Sequence, residues 1–143
     1  MDNLFELESS SIIARARILI TEDDLTQKAL WKQILVKACP DAVVYWADSY
    51  ALASSALDEH QKNKTPIDLL ISDIFLAGAE NGFDLCRDYF DALKGRIILV
   101  SKFGDVQTPS HSNSLSKQEP YYLRKPLNVT QAIFTVRHLL KKI

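Results

Sequence analysis

Residues 67–73 read IDLLISD: three consecutive large apolar residues, Leu69, Leu70 and Ile71, end on a hydroxyl, Ser72, and a carboxylate, Asp73. A strand with one wet face alternates apolar and polar residues, whereas a strand covered on both faces does not. The run therefore predicts a strand over 67–72 that is buried on both sides, with a carboxylate where it emerges. The pattern recurs. Residues 17–21 (RILIT) run into Glu22, Asp23 and Asp24, and residues 97–100 (IILV) run into Ser101. Residues 42–47 (AVVYWA) are rich in strand formers, and a short run at 121–124 leads into Lys125 and Pro126.

Helical patterns separate these runs. Residues 25–39 place Leu30, Ile34 and Ala38 on one face, with Asp24 as the cap. Ser49 caps a helix through about Gln61. Residues 82–93 carry Phe83, Cys86, Phe90 and Leu93 at helical spacing. Asn128 caps a last helix with Val129, Ala132, Ile133, Val136, Leu140 and Ile143 on one side. Strands alternating with helices imply a parallel sheet covered on both faces, here a doubly wound sheet of five strands. Ligands of such sheets bind beyond the carboxyl ends of the strands.

Two stretches depart from the alternation. Residues 1–14 form an N-terminal extension carrying Leu4, Phe5, Leu7, Ile12 and Ile13, ahead of a domain spanning 15–143. Between Gly104 and Glu119 the large apolar residues are Val106 and Leu115 alone, and four serines crowd the segment after Pro109. The expected fourth helix is thus read as weak or missing, mostly loop.

Composition narrows the function. A chain of 143 residues that is 47% apolar can bury a core without metals or disulfides. A net charge of −1 supplies no general attraction to nucleic acid or anionic lipid. No apolar run approaches the length of a membrane span, and the acidic start is unlike an export signal, so a cytoplasmic protein is expected. Cys39 and Cys86 lie within apolar helical patterns and read as buried reduced thiols.

In the proposed sheet, Glu22, Asp23, Asp73, Ser101 and Lys125 converge on one edge. Taken singly, Asp24 is a helix cap, Glu22 and Asp23 suit a solvated loop as well as a site, and Asp73 suits a turn cap. Together they suit one chemistry. Crowded carboxylates are relieved by a divalent cation, and Mg²⁺ prefers oxygen ligands. One carboxylate can then attack a phosphoryl group, giving an acyl phosphate. The metal and a lysine neutralise charge on the phosphoryl oxygens, and a hydroxyl such as Ser101 can bond one of them.

With those motifs in place (ILITED, DLLISD with a later glycine, IILVS, YLRKP), the chain resembles the receiver domain of bacterial two-component response regulators over residues 17–143. The resemblance implies a flavodoxin-like sheet of order 2-1-3-4-5. It implies Asp73 as phosphoacceptor, Glu22 and Asp23 as the acidic pair for Mg²⁺, with Asp23 the more direct ligand, and the Phe75 carbonyl as a further ligand. Ser101 matches the switch hydroxyl, Tyr122 the rotating aromatic and Lys125 the family's lysine, placed by a cis bond to Pro126. The implied partners are a histidine kinase or phosphotransfer protein and a downstream protein, with no nucleic acid and no membrane. Receivers often dimerise, so a homodimer is one candidate assembly. With the last helix ending at Ile143, the reading is a stand-alone receiver rather than a conventional enzyme.

The chain departs from the family at several points. Ala77 stands where proline is usual. The glycine expected eight residues after the phosphoacceptor falls at nine, as Gly82. Lys102 stands where a small residue is usual. Phe75 and Phe103 occupy positions that tune loss of the phosphoryl group, and two phenyl rings there imply a long-lived phosphorylated form. Three other readings compete. One is a pseudo-receiver that binds partners without phosphorylation. Another is a Mg²⁺-dependent aspartyl phosphatase, disfavoured because Phe75 occupies the place of its second acid. The third is a nucleotide- or flavin-binding domain, disfavoured because TEDDLTQ is not a glycine-rich loop.

Overall fold

The computed structural model describes residues 15–102 and 119–143. Strands β1 (Arg17–Thr21), β2 (Val43–Ala47), β3 (Leu69–Asp73), β4 (Ile97–Ser101) and β5 (Tyr121–Arg124) alternate with helices α1 (Leu25–Ala38), α2 (Tyr50–Lys62) and α3 (Gly82–Tyr89). A last helix, α4 (Val129–Leu140), follows β5. All four strand pairings are parallel, in the order β2-β1-β3-β4-β5. This is the flavodoxin-like order expected, with its switch point between β1 and β3. The N-terminal extension and the weak or missing helix between β4 and β5 lie outside the described residues.

The unbroken apolar runs fill two layers. Ile18, Ile20, Leu69, Ile71, Ile98, Val100 and Leu123 face one way, under Trp31, Ile34 and Leu35 of α1 and Ala132, Val136 and Leu139 of α4. Leu19, Leu70, Ile97 and Leu99 face the other way, under Ala53 and Leu57 of α2 and Leu85 and Cys86 of α3. The alternation is that of a strand, but both sides are covered, so no polar residue is called for until the strand ends.

Each helix begins on a side-chain cap. Asp24 accepts from the Gln27 amide at 3.0 Å, Ser49 from Leu52 at 3.2 Å and Asn128 from Gln131 at 2.9 Å. Asn81 accepts from Asp84 at 3.2 Å while the Asp84 carboxylate accepts from the Asn81 amide at 2.8 Å, a reciprocal capping box.

Several boundaries and faces differ from the sequence reading. The core face of α1 is Trp31, Ile34 and Leu35, with Leu30 and Ala38 at its flank. α3 stops at Tyr89, and the chain then turns, so Phe90 and Leu93 pack from outside the helix. α4 ends at Leu140, Val129 and Ile143 are exposed, and Thr135 and Leu139 are buried instead. Asp73 belongs to β3 itself, which begins at Leu69. Both cysteines are free thiols, but only Cys86 is buried; Cys39, at the end of α1, is half-buried. Among the described residues, no helix is long and apolar enough to cross a membrane.

Candidate functional site

The site forms at the carboxyl ends of β1 and β3, where the strand order reverses. Leaving β1, the Glu22 amide donates to the Ala47 carbonyl at 3.1 Å, which keeps residue 22 in the sheet and turns its side chain inward. Glu22 is 2% exposed and Asp73, ending β3, is 8% exposed. Leaving β5, the Lys125 amide donates to the Ser101 carbonyl at 2.7 Å, and the Lys125–Pro126 bond is cis. The Lys125 ammonium meets both carboxylates, Glu22 Oε1 at 3.2 Å and Asp73 Oδ2 at 3.3 Å. The other oxygen of Glu22 accepts from the Asp24 amide at 3.2 Å.

One half-buried ammonium thus faces two buried carboxylates, and the electrostatics follow. Burial pushes the Asp73 carboxyl above its usual range, against the pull of Lys125, the Ile74 amide and the more distant Lys102. Burial likewise raises Glu22, and the nearby Asp73 charge adds to it, against the Asp24 amide and Lys125. For Lys125, burial works against the charge, but Asp73 and Glu22 together outweigh it and its pKa rises. Two carboxylates thus share one ammonium, and burial makes both of them costlier to ionise.

The remaining candidates take distinct places. Asp23 is exposed beside Glu22, at the mouth. Ser101 ends β4 at 5% exposure, one residue past Val100, the register partner of Asp73. Phe75, two residues beyond Asp73, is 53% exposed. Tyr122 is half-buried against the α2–α3 layer, and burial and the neighbouring Cys86 raise its hydroxyl pKa. The structure thus joins Glu22, Asp73 and Lys125 by direct contact and leaves Asp23 and Phe75 at the rim. Phe103 lies outside the described residues.

The loop after Asp73 is closed by two glycines. Gly78 adopts φ of 102°, a conformation open to glycine and strained for other residues. Gly82 donates its amide to the Ile74 carbonyl at 2.7 Å. A Cβ at Gly82 would lie 2.5 Å from the Asp73 carbonyl oxygen and 2.9 Å from the Ile74 Cα. At its spacing of nine residues, this glycine is still pressed against the backbone of Asp73. An isolated parallel bridge between Ser49 and Ala77 ties the loop to the start of α2. Sequence reasoning missed the capping box of Asn81 and Asp84, although the Asn-x-x-Asp spacing ahead of an apolar helix was its signal.

The donor types suit a hard cation: the carboxylates of Asp23 and Asp73 and the Phe75 carbonyl all offer oxygen. Among the described residues, no three Asp, Glu, His or Cys groups gather as a preformed cage. Mg²⁺ is commonly bound by one or two carboxylates and several waters, so such a cage is not required.

No sequence-family model matches the chain, and no curated protein matches it in sequence. Solved structures do match. A protein assigned as a response regulator from Chloroflexus aurantiacus is 25% identical at a TM-score of 0.66, over 89% of this chain and 98% of its own. The signal receiver domain of a DNA binding response regulator from Colwellia psychrerythraea is 22% identical at 0.68, over 88% and 98%. The receiver domain of NtrX from Brucella abortus is 19% identical at 0.65, over 88% and 99%. Topology and neighbours agree with the motifs: this chain has the receiver-domain fold of response regulators.

Proposed function

We propose that the chain is a phosphorylation-controlled receiver: Asp73 accepts a phosphoryl group from a histidine kinase or phosphotransfer protein, and the modified domain signals by changing which protein it binds. The observation that carries this reading is the shared contact of Lys125 with Asp73 and Glu22 at the carboxyl edge of the sheet.

In this mechanism an oxygen of Asp73 attacks phosphorus, a P–O bond forms, and the bond from phosphorus to the donor nitrogen breaks with its electron pair leaving on the imidazole. Burial has already stripped most water from the nucleophile. Lys125, held by two carboxylates, has its ammonium positioned toward the incoming phosphoryl oxygens before the reaction begins, so little reorganisation is needed. Mg²⁺, held by Asp23, Asp73 and the Phe75 carbonyl with Glu22 beside them, would supply further neutralisation of those oxygens. Ser101 is the hydroxyl for a third oxygen. Its movement toward the phosphoryl group, with Tyr122 turning behind it, is the two-state element that carries the signal outward. The chain acts in the cytoplasm, where such donors reside, and its output passes through a protein partner.

Incubation with acetyl phosphate and Mg²⁺ followed by mass spectrometry tests this. The chain gains one phosphoryl group and the Asp73→Asn variant gains none. A gain that persists in the variant removes Asp73 from the mechanism, and no gain in either leaves a phosphorylation-independent interaction module. The exposed Phe75 ring presents no polar group to orient water, so the label should persist for minutes or longer. Loss within seconds contradicts that assignment.

A further inference from the structure

β2 is an edge strand. Val44 and Trp46, on the side that α1 covers, stay half-buried. Between them and α1 runs an open groove of about 340 Å³, whose apolar walls are Leu35, Val36, Val44 and Trp46. That volume lies at the low end for small-ligand pockets, and the walls lack the convergent polar groups such pockets use for orientation. Val36, in the last turn of α1, is 67% exposed and stands at the rim of the groove. The basic group at the groove is Lys32, whose ammonium sits 5.7 Å from the Trp46 ring centroid.

The chain itself enters the domain at one end of this groove. Arg15 Nε donates to the Asp41 carbonyl at 3.3 Å, and the Ala16 carbonyl accepts from the Val43 amide at 2.8 Å. Pro40 and Ala42, in the same turn between α1 and β2, line the groove. Residues 1–14 therefore join the domain next to it. Extended, they reach at most about 50 Å, whereas the stretch of α1 from Lys32 to Cys39 rises only about 10 Å. They carry Leu4, Phe5 and Leu7 interleaved with Asp2, Glu6 and Glu8: apolar groups for the walls and acidic groups for Lys32. A tethered segment also acts at an effective concentration near the millimolar range, which favours it over a second copy in dilute solution.

We propose that residues 1–14 of the same chain occupy the groove between α1 and β2, with Leu4, Phe5 and Leu7 on Val36, Val44 and Trp46 and the acidic groups beside Lys32. The site is then covered by the chain's own extension, on the flank of the domain that carries α1.

Cys39 lines the groove and serves as the reporter. Cys86 is buried, and burial pushes its thiol up to about 11; burial and the Asp41 charge raise the half-buried Cys39 as well, so labelling is run at mildly alkaline pH and read on the Cys39 peptide alone. Iodoacetamide labelling, followed by peptide mass mapping, is compared across the full chain, a chain lacking residues 1–14, and a full-length Phe5→Glu, Leu7→Glu variant. The full chain should label about tenfold more slowly than the other two, the ratio that a 1.4 kcal/mol preference gives. A synthetic peptide of residues 1–14 should slow labelling of the truncated chain. Equal rates in the full chain and the double variant overturn the proposal, even if the truncated chain fails to fold. Protection of the full chain that grows with protein concentration also overturns it, because it identifies a second copy as the occupant.

Discussion

Two polar clusters lie at opposite parts of α3. At its start, Asp73, Glu22 and Lys125 are packed behind the loop that Gly82 closes. On its outer flank, Tyr50 donates to Asp88 at 2.6 Å, Arg87 pairs with Asp84 and Asp88, and the Tyr89 hydroxyl joins Ser54 and, at 3.0 Å, Asp58 of α2. Both clusters combine carboxylates with donors, at 3.2 and 3.3 Å in the first and between 2.6 and 3.0 Å in the second, and their carboxylates move in opposite directions. Asp73 rises because burial outweighs its partners, whereas Asp88, in the open, falls because Arg87 and Tyr50 donate to it and burial costs little. The same hydrogen-bonding chemistry therefore stores negative charge under tension at one end of the helix and simply solvates it at the other.

Replacing the ammonium gives the sharpest test of this contrast. Lys125→Met leaves two buried carboxylates facing each other. It should cost about 4 kcal/mol near neutral pH, the range for breaking a buried pair, read by denaturant unfolding in metal-free buffer. The sign with pH is fixed by the direction of the shifts. A carboxyl raised in the folded state penalises folding above its ordinary range and not below it. The loss should therefore shrink as pH falls into the ordinary carboxylate range. A loss that is flat with pH would dissolve the distinction between the clusters.

Gly82→Ala should cost about 3 kcal/mol, because the new Cβ meets backbone, which yields less than a side chain does. On the proposed mechanism, acetyl phosphate labelling of Asp73 should fall with it, as the backbone beside the carboxylate shifts. Asn81→Ala removes one half of the capping box and should cost about 1 kcal/mol, seen as a lower unfolding midpoint with unchanged slope. Asp73→Asn should raise stability by about 1 kcal/mol near neutral pH, since Lys125 keeps Glu22 as a partner and one desolvated charge is gone. By the same sign argument the gain should vanish on acidification.

The exposed cluster should respond least. Tyr50→Phe loses one hydrogen bond that water replaces, at a cost under about 1 kcal/mol. Its clearest signature is spectroscopic. Asp88 and burial push the Tyr50 hydroxyl up to about 12, so an alkaline absorbance titration should lose a late-ionising tyrosine in the variant.

The buried cluster was largely legible in the sequence and the exposed one was not. Strand ends are marked by apolar runs that stop, so Glu22, Asp73, Ser101 and Lys125 could be placed on one edge before any contact was known. The contact between Lys125 and Glu22, 103 residues apart, was not legible, nor was the division by which Glu22 goes inward while Asp23 stays exposed. Both depend on the Glu22 amide pairing with Ala47, which no local pattern encodes. Trp31 was overlooked on α1 because two overlapping apolar stripes, through Leu30 and through Trp31, satisfy the same helical period, and packing against Ile18 and Ile20 selects between them. The network of Tyr50, Asp88 and Tyr89 follows from the docking of α2 on α3 and leaves no periodic trace.

Gly82 has a mechanical consequence. With its amide bonded to Ile74 and no room for even a methyl group against Asp73, the first turn of α3 and the end of β3 have no slack between them. A shift of one backbone segment therefore has to be taken up by the other. Tyr122 packs in the same layer as α3, so the backbone beside Asp73 and the ring beside Ser101 border one face of the sheet, while α1 and α4 cover the other.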